Sequence, residues 1–90
     1  MKLLKVLSKT GSTEIIIELH RKGIVSFGKL AKLTDYPSTA ARRLNELVKH
    51  GLVKRNVKSD ALRSVEYELT ETGKEIADIL LQLEKYEKKD

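Results

Sequence analysis

The ninety residues contain no cysteine and no tryptophan, a single proline, a single methionine and only four aromatic side chains. Without cysteine, disulfides, thiolate zinc sites and thiol-based redox sensing are excluded. No apolar run approaches the roughly twenty residues of a membrane span. No signal-peptide pattern opens the chain either. These absences make an intracellular, cytoplasmic protein with no membrane partner the expectation. The two histidines, His20 and His50, stand thirty residues apart with no carboxylate cluster joining them, so no metal site is expected. His50 instead suits support of a helix C-terminus or a phosphate contact. No nucleophile elbow, P-loop or Gly-rich phosphate cradle occurs. The chain is therefore read as a non-enzyme with no cofactor and no evident small-molecule ligand.

Acidic side chains are scarce in one region and concentrated in another. The net charge is +5 and the pI about 9.5. Residues 20–63 hold eleven Lys/Arg against three Asp/Glu, whereas residues 64–90 hold four against eight. A basic middle joined to an acidic tail is a polarised molecule, where a merely solvated surface mixes its signs. That polarity raises the expectation of an anionic partner. Lys, Glu and Ile are abundant, a composition that leans toward a thermophilic source.

Hydrophobic periodicity gives the element order. Residues 1–9 carry Leu3, Leu4, Val6 and Leu7, enough for a short helix or a partner contact. After the breaker "KTGS", Ser12 or Thr13 is placed to cap a helix over 13–22, with Ile15, Ile16 and Leu19 on one face. "IVSF" is long enough for one or two sheet pairings. Ser26 then caps a second helix, from 27 to about 33. "TDYP" is a turn that puts Pro37 at the first position of the next helix, which closes on Gly51. "LVKRNV" and "SVEYEL" read as two strands around the loop "KSDALR". Thr70 caps a last helix to about residue 88, with Ile76, Ile79, Leu80, Leu83 and Tyr86 in an apolar stripe. The fold class is mainly α with a small β-hairpin, an α+β arrangement with no internal repeat or linker. Ninety residues make one domain: an N-terminal segment over 1–11, a core over 12–70 and a C-terminal helix over 71–90.

The helix over 37–50 carries the informative chemistry. At about 100° per residue, Ala40, Leu44, Leu47 and Val48 share one arc and Arg42 lies opposite Leu44. Ser38 and Lys49 flank Arg42 on one side, Thr39 and Glu46 on the other, with Asn45 and Arg43 at the borders. Short hydroxyls at the N-terminal end let backbone amides approach phosphates, and a guanidinium one turn on can fork onto guanine O6 and N7. Glu46 either accepts from a cytosine amino group or holds Arg42 or Arg43 in place. A short helix stands immediately upstream, the helix-turn-helix order. A basic hairpin with Lys54, Arg55, Lys58 and Arg63 follows immediately downstream, so groove and backbone could be met together.

The stretch "FGKLAKLTDYPSTAARRLNELVKHGLVKRNV", followed by "RSVEYELTETGKEI", resembles the winged-helix transcriptional regulators of bacteria and archaea. Within them it looks most like the HxlR-type group, with MarR- and ArsR-like families more distant. The resemblance covers roughly residues 13 to 80. Where HxlR-type proteins commonly carry a Cys and a Gly-Lys-Trp stretch, this chain has "TGSTEIII". The resemblance implies a winged helix-turn-helix with N- and C-terminal helices for dimerisation, and a recognition helix over about 37–50. Ser38, Thr39, Arg42 and Arg43 match its groove-facing positions, and Lys49 joins them on the outer face. Lys58 and Arg63 match the wing tip, for the minor groove or a phosphate. Arg55 matches the wing base, for a phosphate or an internal ion pair. The last helix looks like the dimerisation helix, so Ile76, Ile79, Leu80, Leu83 and Tyr86 are expected at a homodimer interface, joined by Leu3, Leu4 and Leu7. Ala77 and Leu81 widen that stripe. A symmetric dimer implies a pseudo-palindromic double-stranded DNA site.

Three functions remain compatible with this pattern: a sequence-specific DNA-binding regulator, a winged helix used as a protein-interaction module, and a non-specific architectural DNA protein of possible viral origin. The basic residues shared by the helix and the hairpin favour the first.

Overall fold

A computed structural model describes residues 1–58 and 64–87. Its order is α1 (Lys2–Leu7), α2 (Ser12–Lys22), β1 (Val25–Ser26), α3 (Phe27–Ala31), α4 (Pro37–Lys49), β2 (Val53–Val57), β3 (Val65–Leu69) and α5 (Glu71–Glu87). Ile15, Ile16 and Leu19 of α2 occupy the centre of the core, against Leu30 of α3, Leu44 and Leu47 of α4, and Ala77 of α5. Each fully buried leucine or isoleucine contributes on the order of 1.5–3 kcal/mol of transfer free energy. α4 therefore presents to the core the arc that its periodicity marks out, and its opposite face is left outward.

The three strands form one antiparallel sheet in the order β1-β3-β2. Two pairings hold β1, Val25 to Tyr67 and Ser26 to Glu66, and five hold β2, from Val53 opposite Leu69 to Val57 opposite Val65. Tyr67 and Leu69 turn into the core from the middle strand, while Glu66 and Glu68 face the other way. Val25, buried at the start of β1, is what draws this short edge into the sheet.

The helix ends follow the expected chemistry with two differences. Ser26 accepts the Lys29 N–H at 3.4 Å, and Thr70 accepts the Gly73 N–H at 3.0 Å. Gly51, with φ 78°, ends the turn after α4. Neither Ser12 nor Thr13 caps α2, however. The N-cap position belongs to Gly11, whose φ of 91° lets the chain turn tightly enough for the Ser12 N–H to reach the Lys9 carbonyl. Ser12 is swallowed into the helix, its Oγ buried without a partner among the described residues. The second difference is that α3 stops at Ala31 instead of continuing to residue 33. The amides of Lys32, Leu33 and Thr34 each bond three residues back, a tightened turn that swings the chain toward Pro37.

Candidate nucleic-acid interface

Tyr36, extended at φ −134°, precedes Pro37 at the first helical position of α4. No side chain caps this end and its first turn holds no acidic residue, so the partial positive charge of the helix start is left uncompensated. Ser38, Arg42, Asn45 and Lys49 are all exposed along one outer strip of α4. Among the described residues, none of the four is held by an ion pair or a side-chain hydrogen bond. Asn45, assigned to a border by the helical wheel alone, belongs fully to the open face. Its amide can fork onto adenine N6 and N7 as Arg42's guanidinium can onto guanine.

The opposite border of α4 is covered. Arg43, expected to face the groove, is instead only 8% exposed. The turn between α1 and α2 lies over this side, and Arg43 is drawn beneath it, Nη1 at 3.5 Å from Glu46 Oε1. Thr39 is half-buried on the same side. Glu46 takes the positioning role, yet its shortest partner is Lys9, at 2.8 Å and 37 positions away in the chain. The Lys9 hydrogen bond lowers the Glu46 pKa, partial burial opposes it, and the charges of Arg43, Lys9 and Arg42 add to the lowering. Lys9 was invisible to helix-by-helix reading, because only the tertiary fold brings the α1–α2 turn to α4.

On the other side of α4 stands the wing. Arg55 is exposed on β2, and it lines a shallow cleft with Asn45 and Ala41 of α4 and Val65 of β3. Among the described residues no ion pair holds it. Lys58 is exposed at the end of β2 but leans on Glu66 at 3.1 Å. Arg63 lies outside the described residues. His50 places Nδ1 2.9 Å from the Glu46 carbonyl oxygen at the end of α4, the helix-terminal role expected for it.

The expected interface residues divide into two groups. Leu3, Leu7, Ile76 and Leu80 are partly buried against this chain's own core. Ala77, which appeared to widen the outer stripe of α5, is fully buried. Leu4, Ile79, Leu83 and Tyr86 remain outward, the last three at 53%, 55% and 72% exposure along one strip of α5.

A helix-turn-helix made by α3 and α4, followed by a β2–β3 wing, is thus in place, and the model of HxlR-like helix-turn-helix proteins matches residues 6–90. The chain belongs to that family. A MarR-family protein from Porphyromonas gingivalis W83 is similar to this HxlR-like chain with a TM-score of 0.84 at 22% identity, covering 99% of this chain and 88% of that one. A protein of Thermoplasma volcanium GSS1, described as a possible HxlR family transcriptional factor, gives 0.80 at 25% identity, with coverage of 93% and 76%. The reduced form of the transcriptional regulator YodB from B. subtilis gives 0.76 at 23% identity, with coverage of 94% and 84%. No curated protein matches. Family membership supports a DNA-binding regulator as the coarse function of this HxlR-like chain. No helix among the described residues is long and apolar enough to cross a membrane.

Proposed function

We propose that this HxlR-like chain is a sequence-specific regulator that binds double-stranded DNA as a symmetric dimer, with α4 in the major groove and the wing on the backbone or minor groove. The observation that carries the reading is the open strip of Ser38, Arg42, Asn45 and Lys49, opposite the fully buried Ala40, Leu44 and Leu47. A strip of hydroxyl, guanidinium, amide and ammonium groups beginning at an uncapped helix start matches what base edges and phosphates demand. Arg55, unpaired among the described residues, adds a cation beside that strip, and Lys58 and Arg63 are assigned to the backbone contact of the wing. Dimerisation through α5, with Leu4 of α1 contributing, would set two recognition helices roughly 34 Å apart on a pseudo-palindromic operator. Bound there, the protein blocks or recruits the transcription machinery.

Fluorescence anisotropy on random duplex DNA and on a selected pool, each at several salt concentrations, tests this. Tight binding with a steep salt dependence and enrichment of a two-fold symmetric sequence is expected. Equal affinity for every duplex would make the protein architectural, and no binding at low salt would leave a protein-interaction module.

A further inference from the structure

We propose that the cleft between the α1–α2 turn and the covered border of α4 seats one backbone phosphate of the duplex, with Lys9 as its charged donor and Arg43 as the cation behind it. This rests on the DNA-binding reading and adds a contact from a part of the chain outside both recognition helix and wing.

The cleft is lined by Lys9, Asp35, Thr39, Arg42, Arg43 and Glu46, among others. Three cations thus meet two carboxylates, and only one carboxylate is engaged: Glu46 Oε2 takes Lys9, while Oε1 has only the 3.5 Å approach of Arg43. Arg43 Nε is buried and has no hydrogen-bond partner among the described residues. A buried guanidinium with an unfilled donor is costly and calls for an acceptor. Thr39 and Tyr36 line the same wall. The lining thus carries a net positive charge, with Arg43 Nε and Glu46 Oε1 each buried without a hydrogen-bond partner among the described residues. A phosphate diester, which supplies two anionic oxygens and no donor, is the ligand that fits it.

Groove dimensions point the same way. A helix with its side chains is about 10–12 Å across and the major groove about 12 Å wide. A helix seated there presses its two borders toward the two sugar–phosphate strands. One border of α4 meets Arg55 of the wing; the other meets Lys9. The two basic groups thus straddle the reading face, one for each flanking strand.

The experiment compares wild type, Lys9→Met and Lys9→Arg on the selected duplex and on random duplex, each across a salt series. Lys9→Met is expected to lose affinity by the same factor on both DNAs, with the salt slope reduced by about one unit. The affinity ratio between 50 and 200 mM salt should shrink by about 3.5-fold for one lost phosphate contact. Lys9→Arg should keep the slope, which a purely structural loss in Lys9→Met would not explain. A walk of single methylphosphonates along the selected duplex is then expected to find one position where wild type and Lys9→Met bind equally. An unchanged slope in Lys9→Met while Arg42→Ala still weakens binding would overturn this contact and leave the DNA reading standing. So would a walk with no such position. A wild-type protein that binds no duplex at low salt would overturn both.

Discussion

Arg42 and Arg43 are neighbours in sequence with opposite fates. Arg42 stands free on the outer strip, whereas Arg43 is buried beneath the α1–α2 turn beside Glu46. Arg42→Ala should therefore cost about 1–3 kcal/mol on the preferred DNA sequence and relax discrimination at one base, with the melting temperature unchanged. Arg43→Ala should do the reverse: lose roughly 0.5–3 kcal/mol of folding stability by denaturant titration, with base preference retained. Equal loss of sequence preference in both variants would contradict the placement of Arg43. Glu46 carries a pH signature in the same neighbourhood. Its pKa is lowered in the folded state, first by the Lys9 hydrogen bond and then by the charges around it. A depressed carboxylate stabilises the fold above its unfolded pKa and loses that contribution as pH falls through the folded value. The melting-temperature gap between wild type and Glu46→Gln should thus be constant near neutrality and close in the acid range; a gap that widens there would refute the sign. Arg42 was legible in the sequence because it lies opposite Leu44 on a periodic helix. The burial of Arg43 was not, since the cover comes from residues 8 to 10, which no local pattern ties to α4.

At the scale of elements, α5 is fastened to the turn that ends α4 by Thr70. Its Oγ1 donates to the Gly51 carbonyl at 2.6 Å and accepts from the Gly73 N–H, while its own N–H bonds to the Leu52 carbonyl at 3.1 Å. Gly73 permits this approach. A Cβ at that position would land on the Leu52 carbonyl oxygen and come within 3.1 Å of Leu69 Cδ2. Two effects oppose each other in Gly73→Ala: helix propensity favours alanine by about 1 kcal/mol, and the steric conflict costs about 1–3 kcal/mol or more. The obstructing atom is backbone and cannot swing aside, so we expect net destabilisation, seen as a lower denaturation midpoint. A gain in stability would mean that α5 can shift away from the turn freely. Thr70→Val should lose about 1 kcal/mol through the cap alone. The capping role of Thr70 was written in "LTETG", where a threonine precedes an apolar-periodic helix. Its bond to Gly51 was not, because it joins residues 19 positions apart. The alternation of Val65, Tyr67 and Leu69 likewise announced β3, while the pairing that makes it the central strand depends on β1 arriving from 40 residues away.

For the whole molecule, the exposed strip of Ile79, Leu83 and Tyr86 sets the expected assembly. Isolated apolar side chains on a surface require no explanation, but three in line along one helix suit the seam that the proposed dimer needs. Ile76, Leu80 and Ala77 face inward from the same helix, so replacing an outward residue tests association without emptying the core. Leu83→Glu puts a carboxylate at the seam of each protomer, and its two copies would face each other across a two-fold axis. We expect wild type to run as a dimer and Leu83→Glu as a folded monomer by light scattering. Thermal unfolding supplies an independent check, because association stabilises by mass action. The wild-type melting temperature should rise with protein concentration, and that of Leu83→Glu should not. On a two-fold symmetric duplex the variant should bind each half-site independently, losing the advantage that comes from linking two sites through one body. A Leu83→Glu protein that remained dimeric and kept full affinity would move the interface off α5, leaving Leu4 and the α1 surface to be tested next.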